Sequence, residues 1–145
     1  MAFADQPAFH AKVVRVVDGD TLEVRREKKN IRIRIWGIDA PEWSQPYGPQ
    51  SCGFARNLIF GREVQVVPKD HDKYGRLVAV IFVEGVSVNE ALVRAGYAWV
   101  YPYFCNEPVC EVWKSLQQIA SSEHRGLWAD QSPVPPWQWR RMHDR

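Results

Sequence analysis

The chain has 145 residues, 46% of them hydrophobic and 25% charged, which suits one domain with a real core and excludes disordered, collagenous and repeat architectures. With 19 basic and 17 acidic residues the formal charge is +2, so any nucleic-acid contact must come from a local basic site and not from bulk charge. No apolar run approaches the roughly 20 residues that span a bilayer, so no membrane partner is expected.

At the N-terminus, Ala2-Phe3-Ala4 directly follows Met1 and has the small-x-small form of a signal-peptidase site. Two readings stand side by side: an exported protein without most of its leader, or an arbitrary alanine-rich start. Val13, Val14, Val16 and Val17 then lead as a strand into Asp18-Gly19, a dipeptide suited to a tight hairpin turn. A second strand runs from Thr21 to Arg25, and a charged turn up to Asn30 precedes Ile31-Arg32-Ile33-Arg34-Ile35. This third run alternates strictly, which puts its isoleucines on the core face and its arginines toward solvent or an anion.

Residues 38–50 read as a loop, interrupted by Pro41, Pro46, Gly48 and Pro49. Phe54, Ala55, Leu58 and Ile59 fit a short helix that closes at Gly61. Val64, Val66 and Val67 make a fourth strand ended by Pro68, and a polar connection over 69–76 leads to a fifth at Leu77–Val83. Ser87 and Glu90 form a capping box ahead of a helix with Val88, Ala91, Leu92 and Ala95 on its apolar stripe and Gly96 as its stop. Val109, Val112, Trp113, Leu116, Ile119 and Ala120 recur with the helical period and mark a third helix. From Ser132 the Pro- and Trp-containing tail reads as an extended appendage. Five strands in so short a chain favour a small closed or partly closed barrel with three helices packed outside, the OB type being one solution. The fold class expected is therefore mainly β with α, one domain over 1–145 with its core at about 9–130.

Three carboxylates lie where side chains escape the core: Asp20 after the hairpin glycine, Asp39 after the third strand, and Glu42 beyond Pro41. Arg34 on the outer face of the third strand and Arg76 just before the fifth accompany them. Carboxylate oxygens suit Ca²⁺ or Mg²⁺. A further carboxylate can take a proton from water, and two guanidinium forks can hold a phosphate and offset charge building in the transition state. Each piece alone is as readily a turn or a solvated strand face; together they point to phosphodiester hydrolysis.

The joint pattern resembles the staphylococcal nuclease (thermonuclease) family. The matching runs are Val16-Val17-Asp18-Gly19-Asp20-Thr21, Arg34-Ile35-Trp36-Gly37-Ile38-Asp39-Ala40-Pro41-Glu42 and Asp72-Lys73-Tyr74-Gly75-Arg76, followed by residues 88–96 and Gly126-Leu127-Trp128. The resemblance implies an OB-fold barrel, Ca²⁺ dependence, and cleavage of DNA and RNA at the P–O5′ bond to leave 3′-phosphate ends. It assigns Asp20, Asp39 and the Ala40 carbonyl to the metal, Glu42 to the general base, Arg34 and Arg76 to the phosphate, and Lys73 and Tyr74 to the nucleotide. Asp18 falls beside the metal site. The stretch after Glu42 looks shorter than in the staphylococcal enzyme.

Tyr101 and Tyr103 are candidates for base stacking, with packing against the barrel as the alternative. Cys105 and Cys110 bracket a turn-like segment and are expected to form a small disulfide loop, in agreement with a secreted or periplasmic location; Cys52 is left as a buried thiol. The four histidines have no zinc-like spacing with the cysteines. Trp137, Trp139, Arg140 and Arg141 are candidates for a secondary nucleic-acid contact. The expected protein is thus a monomeric, Ca²⁺-dependent, sugar-non-specific endonuclease. The alternative is a non-catalytic OB module that binds nucleic acid or protein, which has no use for three acids beside a phosphate.

Overall fold

The computed structural model describes residues 6–143, so the Ala2-Phe3-Ala4 run lies outside the described residues. In chain order the elements are β1 (Phe9–Asp18), β2 (Thr21–Arg26), β3 (Lys29–Ile35), β4 (Ile38–Asp39), α1 (Gly48–Ile59), β5 (Glu63–His71), β6 (Leu77–Val83) and β7 (Val86–Ser87). They continue with α2 (Val88–Arg94), β8 (Trp99–Val100), α3 (Val109–Ser122), a 3₁₀ turn (Gly126–Ala129) and α4 (Pro136–His143). β3, β2, β1, β5 and β6 lie side by side, and a parallel β3–β6 pairing closes them into the five-stranded OB-type barrel. Closure removes the free edges that an open sheet of this size would leave.

The alternation seen in the sequence is what fills the barrel. Ile33 and Ile35 are buried, as are Val13, Leu22, Val24, Val64, Val66, Ala79 and Ile81 from the other strands. Their neighbours along each strand point outward, so Arg34 stands on the outer surface beside Val78, its register partner on β6. Outside the barrel, the buried Asn89 of α2 ties helix to sheet: its side-chain oxygen accepts from the Ile81 amide (3.1 Å) and its amide donates to the Trp36 carbonyl (2.8 Å). Ser87 caps that helix by accepting from the Glu90 amide.

Several boundaries differ from the sequence expectation, each for a local reason. α1 begins at Gly48, inside the expected loop, because Pro49 sits in the first helical turn, where its missing N–H is not needed. β5 passes through Pro68 to His71, the strand absorbing the proline in a register shift between Pro68 and Asp70. The tail is not an extended appendage: residues 136–143 form α4, a fourth helix, whose first residue Pro136 is buried. Among the described residues no helix is long and apolar enough to cross a membrane.

Cys105 and Cys110 are joined by a disulfide across a separation of five residues, and Cys52 is a buried free thiol. The bridge lies against Gly37, whose positive φ of 77° makes the turn between β3 and β4; a Cβ there would press on Trp113 and on the Cys105 sulfur.

Two measurements check this architecture. Asn89→Ala removes the partner of two buried backbone groups and is expected to cost about 2 kcal/mol in denaturant unfolding. Thiol titration of the unfolded, unreduced protein is expected to find one thiol per chain and not three; reducing the bridge should lower stability by about 2 kcal/mol through the freed unfolded-state loop.

Candidate active site

The site is built where the β1–β2 hairpin meets the β3–β4 turn. Arg34 leaves the outer face of β3 and is only slightly exposed. Its Nη1 donates to the Ile35 and Ile38 carbonyls, both at 2.8 Å, which clamps the turn that delivers Asp39. The same guanidinium lies 3.5 Å from Asp20 Oδ2 and 3.3 Å from Asp39 Oδ1. One arginine therefore joins two buried carboxylates that stand nineteen positions apart in the sequence.

The carboxylates are held from the other side as well. Asp20 Oδ2 accepts from the Ala40 amide at 2.7 Å and Oδ1 from the Thr21 hydroxyl at 3.2 Å. Close approach of hairpin and β4 loop requires Gly19, since a Cβ there would sit 2.8 Å from the Ala40 Cβ. Asp39 is fully buried in β4, which pairs with β8 through Asp39 opposite Trp99. Glu42 comes next, just ahead of the tight segment 43–47 leading into α1: its amide donates to Gln45 Oε1 (3.0 Å), and its carbonyl accepts from the Gln45 amide (2.9 Å). A side chain at Gly48 would collide with that carbonyl, so the short segment is wound against Glu42 and fixes its position.

Burial and crowding set the charge states. Burial raises Asp39 to about 6, against the opposing bond from Arg140. Burial and then the Asp20 charge push Asp18 up to about 8, and its Oδ1 accepts from the Asp20 amide at 3.1 Å. Burial alone would also raise Asp20, but Arg34 and the donors around it bring it below the usual carboxylate range. Acid thus outweighs base in this pocket, where Asp18, Asp20, Asp39 and Glu42 face Arg34 and Arg140.

That donor set fits a hard divalent cation. Two buried carboxylates on adjoining loops with excess negative charge, and with backbone carbonyl and water to complete the shell, are what such ions take. Among the described residues no three His, Cys, Asp or Glu side chains make a ready cage, so protein side chains alone would not saturate the ion.

The other expected site residues fall into two groups. Arg76 immediately precedes β6, whose first residue Leu77 is the register partner of Ile33 and whose next residue Val78 is that of Arg34. Its Nε is bonded to Asp72 at 2.7 Å, in a loop that also carries Lys73 and the exposed Tyr74. Lys73 Nζ lies 5.3 Å and the Arg76 guanidinium 5.6 Å from the Tyr74 ring centre, so these three form one basic and aromatic knuckle. Tyr101 and the exposed Tyr103 follow β8 and meet edge to face at 5.8 Å. Tyr101 also stacks on Trp137 of α4 (5.5 Å, 11°), an internal contact that belongs to the packing reading.

Arg140 is the site residue that sequence reasoning did not place. Its Nη1 and Nη2 bond both Asp39 oxygens at 3.1 and 2.7 Å, and Nη1 lies 3.7 Å from Glu42 Oε2. The sequence offered only a basic Trp/Arg tail, and its separation of 101 residues from Asp39 hid the contact.

A family model described as a staphylococcal nuclease homologue matches residues 32–130. The chain belongs to the staphylococcal nuclease family. It is 46% identical over 133 residues to a protein of Escherichia coli O157:H7 named an uncharacterized endonuclease, covering 91% of this chain and 85% of that one. It is 35% identical over 149 residues to a micrococcal nuclease of Shigella flexneri, covering 97% and 83%. A probable staphylococcal-like nuclease of Oryza sativa subsp. japonica, CAN1, is 39% identical over 113 residues, 78% of this chain and 33% of that one. Membership makes this chain a nuclease. The family match ends at residue 130, so α4 and Arg140 lie beyond it.

Proposed function

We propose that this member of the staphylococcal nuclease family is a Ca²⁺-dependent, sugar-non-specific endonuclease that cleaves DNA and RNA at the P–O5′ bond and leaves 3′-phosphate ends. The observation that carries the reading is the shared guanidinium: Arg34 within 3.5 Å of Asp20 and 3.3 Å of Asp39, with Glu42 at the rim of the same pocket. Asp20, Asp39 and the Ala40 carbonyl would hold the cation, which when bound supplies Lewis-acid polarisation of the phosphate.

The chain's own groups do the remainder. Arg34 spends Nη1 on two backbone carbonyls and one Nη2 hydrogen on Asp39, which among the described residues leaves its Nε–H and the second Nη2 hydrogen for a phosphate oxygen. Arg76, just ahead of the neighbouring strand β6, supplies the second fork. Both strengthen their hold as negative charge builds on the equatorial oxygens. Glu42 takes or orients the proton of the attacking water. Lys73, Tyr74, Tyr101 and Tyr103 accommodate the nucleotide chain by charge and by stacking. The Cys105–Cys110 bridge supports a secreted or periplasmic protein, and nothing in the mechanism requires more than a monomer.

Digestion of plasmid and of single-stranded DNA and RNA, with Ca²⁺ or with chelator and with end-group analysis, tests the reading. Cleavage only with Ca²⁺ and 3′-phosphate products are expected; retardation without cleavage contradicts it. Glu42→Gln should lower turnover by about 10²–10⁴-fold and Arg76→Ala by a comparable factor, each with an unchanged circular dichroism spectrum. Near-wild-type rates in both variants would refute the assignment.

A further inference from the structure

We infer that Arg140 is an internal counter-ion for Asp39 and that, by competing with the divalent cation for that carboxylate, it sets the metal affinity of the site. This rests on the reading of Asp20 and Asp39 as metal ligands.

The geometry is that of a cation substitute. Asp39 has no exposed surface, and a buried carboxylate without a partner is costly. Arg140 meets that need with a two-pronged bond to both oxygens and a longer contact to Glu42. Arg34 takes a further position on Asp39 Oδ1. Of the four lone-pair positions on a carboxylate, three are therefore committed to guanidinium N–H groups. A divalent ion must then bind Asp39 through the remaining position next to a fixed positive charge, or displace Arg140.

Arg140 is not a loosely tethered side chain. α4 is anchored by the buried Pro136, by Trp137 against Trp99 and Tyr101, and by Gln45 Nε2 donating to the Val134 carbonyl at 2.6 Å. Gln45 is the same side chain that holds the Glu42 amide, so the tail is fastened to the segment that carries the general base. The competing charge is thus intramolecular, with a high effective concentration at the carboxylate.

The experiment is a calorimetric Ca²⁺ titration, without substrate, of the wild-type chain and the variants Arg140→Gln and Arg140→Lys. Removing the charge in Arg140→Gln is expected to tighten Ca²⁺ binding by at least about tenfold, while Arg140→Lys, which keeps it, stays within about threefold of wild type. Unchanged or weaker binding in Arg140→Gln would overturn the inference while leaving the metal reading intact, because a merely structural arginine does not hold affinity down. No Ca²⁺ binding by the wild type or either variant would overturn both. If Arg140→Gln is destabilised but still folded without metal, Ca²⁺ should raise its melting temperature more than it raises that of the wild type; an equal or smaller rise counts against the inference.

Discussion

The structure depends on one guanidinium placed between two buried acids. Arg34 faces outward only because Ile33 and Ile35 face inward, and the barrel cannot reverse that order without losing its core. With its position fixed by the strand, the arginine clamps two carbonyls of the next turn and draws in Asp20 and Asp39. Core packing therefore sets the geometry of the site, and the hairpin and turn glycines let the loops approach closely enough to use it.

Holding so many acids together is a cost that the rest of the pocket offsets. Burial pushes the Asp18 carboxyl up, Asp20 accepts backbone and hydroxyl donors, and Asp39 is paired with arginines on two sides. Buried acids are kept stable by such a compromise between burial and internal donors. Arg140 belongs to that compromise, since the terminal helix delivers a charge that the barrel alone does not provide.

Much of this was legible in the sequence. The alternation of Ile31 to Ile35, the hairpin after Asp18, the Ser87 helix cap and the period of α3 are local signals, and each appears in the structure, the hairpin turn one residue later at Gly19-Asp20 and the cap without Glu90's return bond, since that side chain pairs with Arg94. The candidate acids and Arg34 were readable from their ordered motifs, and the barrel brings them together. What was not readable was set by tertiary contact. Pro49 looks like a loop residue until the helix is seen to begin one residue earlier, and Pro68 looks like a strand end until its register shift absorbs it. α4 has few local signals for an ordered, docked helix; its place follows from the burial of Pro136 and from Trp137 and Arg140 finding Trp99 on β8 and Asp39 on β4.

Anomalous diffraction from crystals soaked in a lanthanide that substitutes for Ca²⁺ tests the central claim most directly. The account predicts one strong peak about 2.3–2.6 Å from carboxylate oxygens of both Asp20 and Asp39, with Arg34 still in place beside them. A peak elsewhere on the surface, with both carboxylates still bound only by arginine in crystals of an active enzyme, would contradict it.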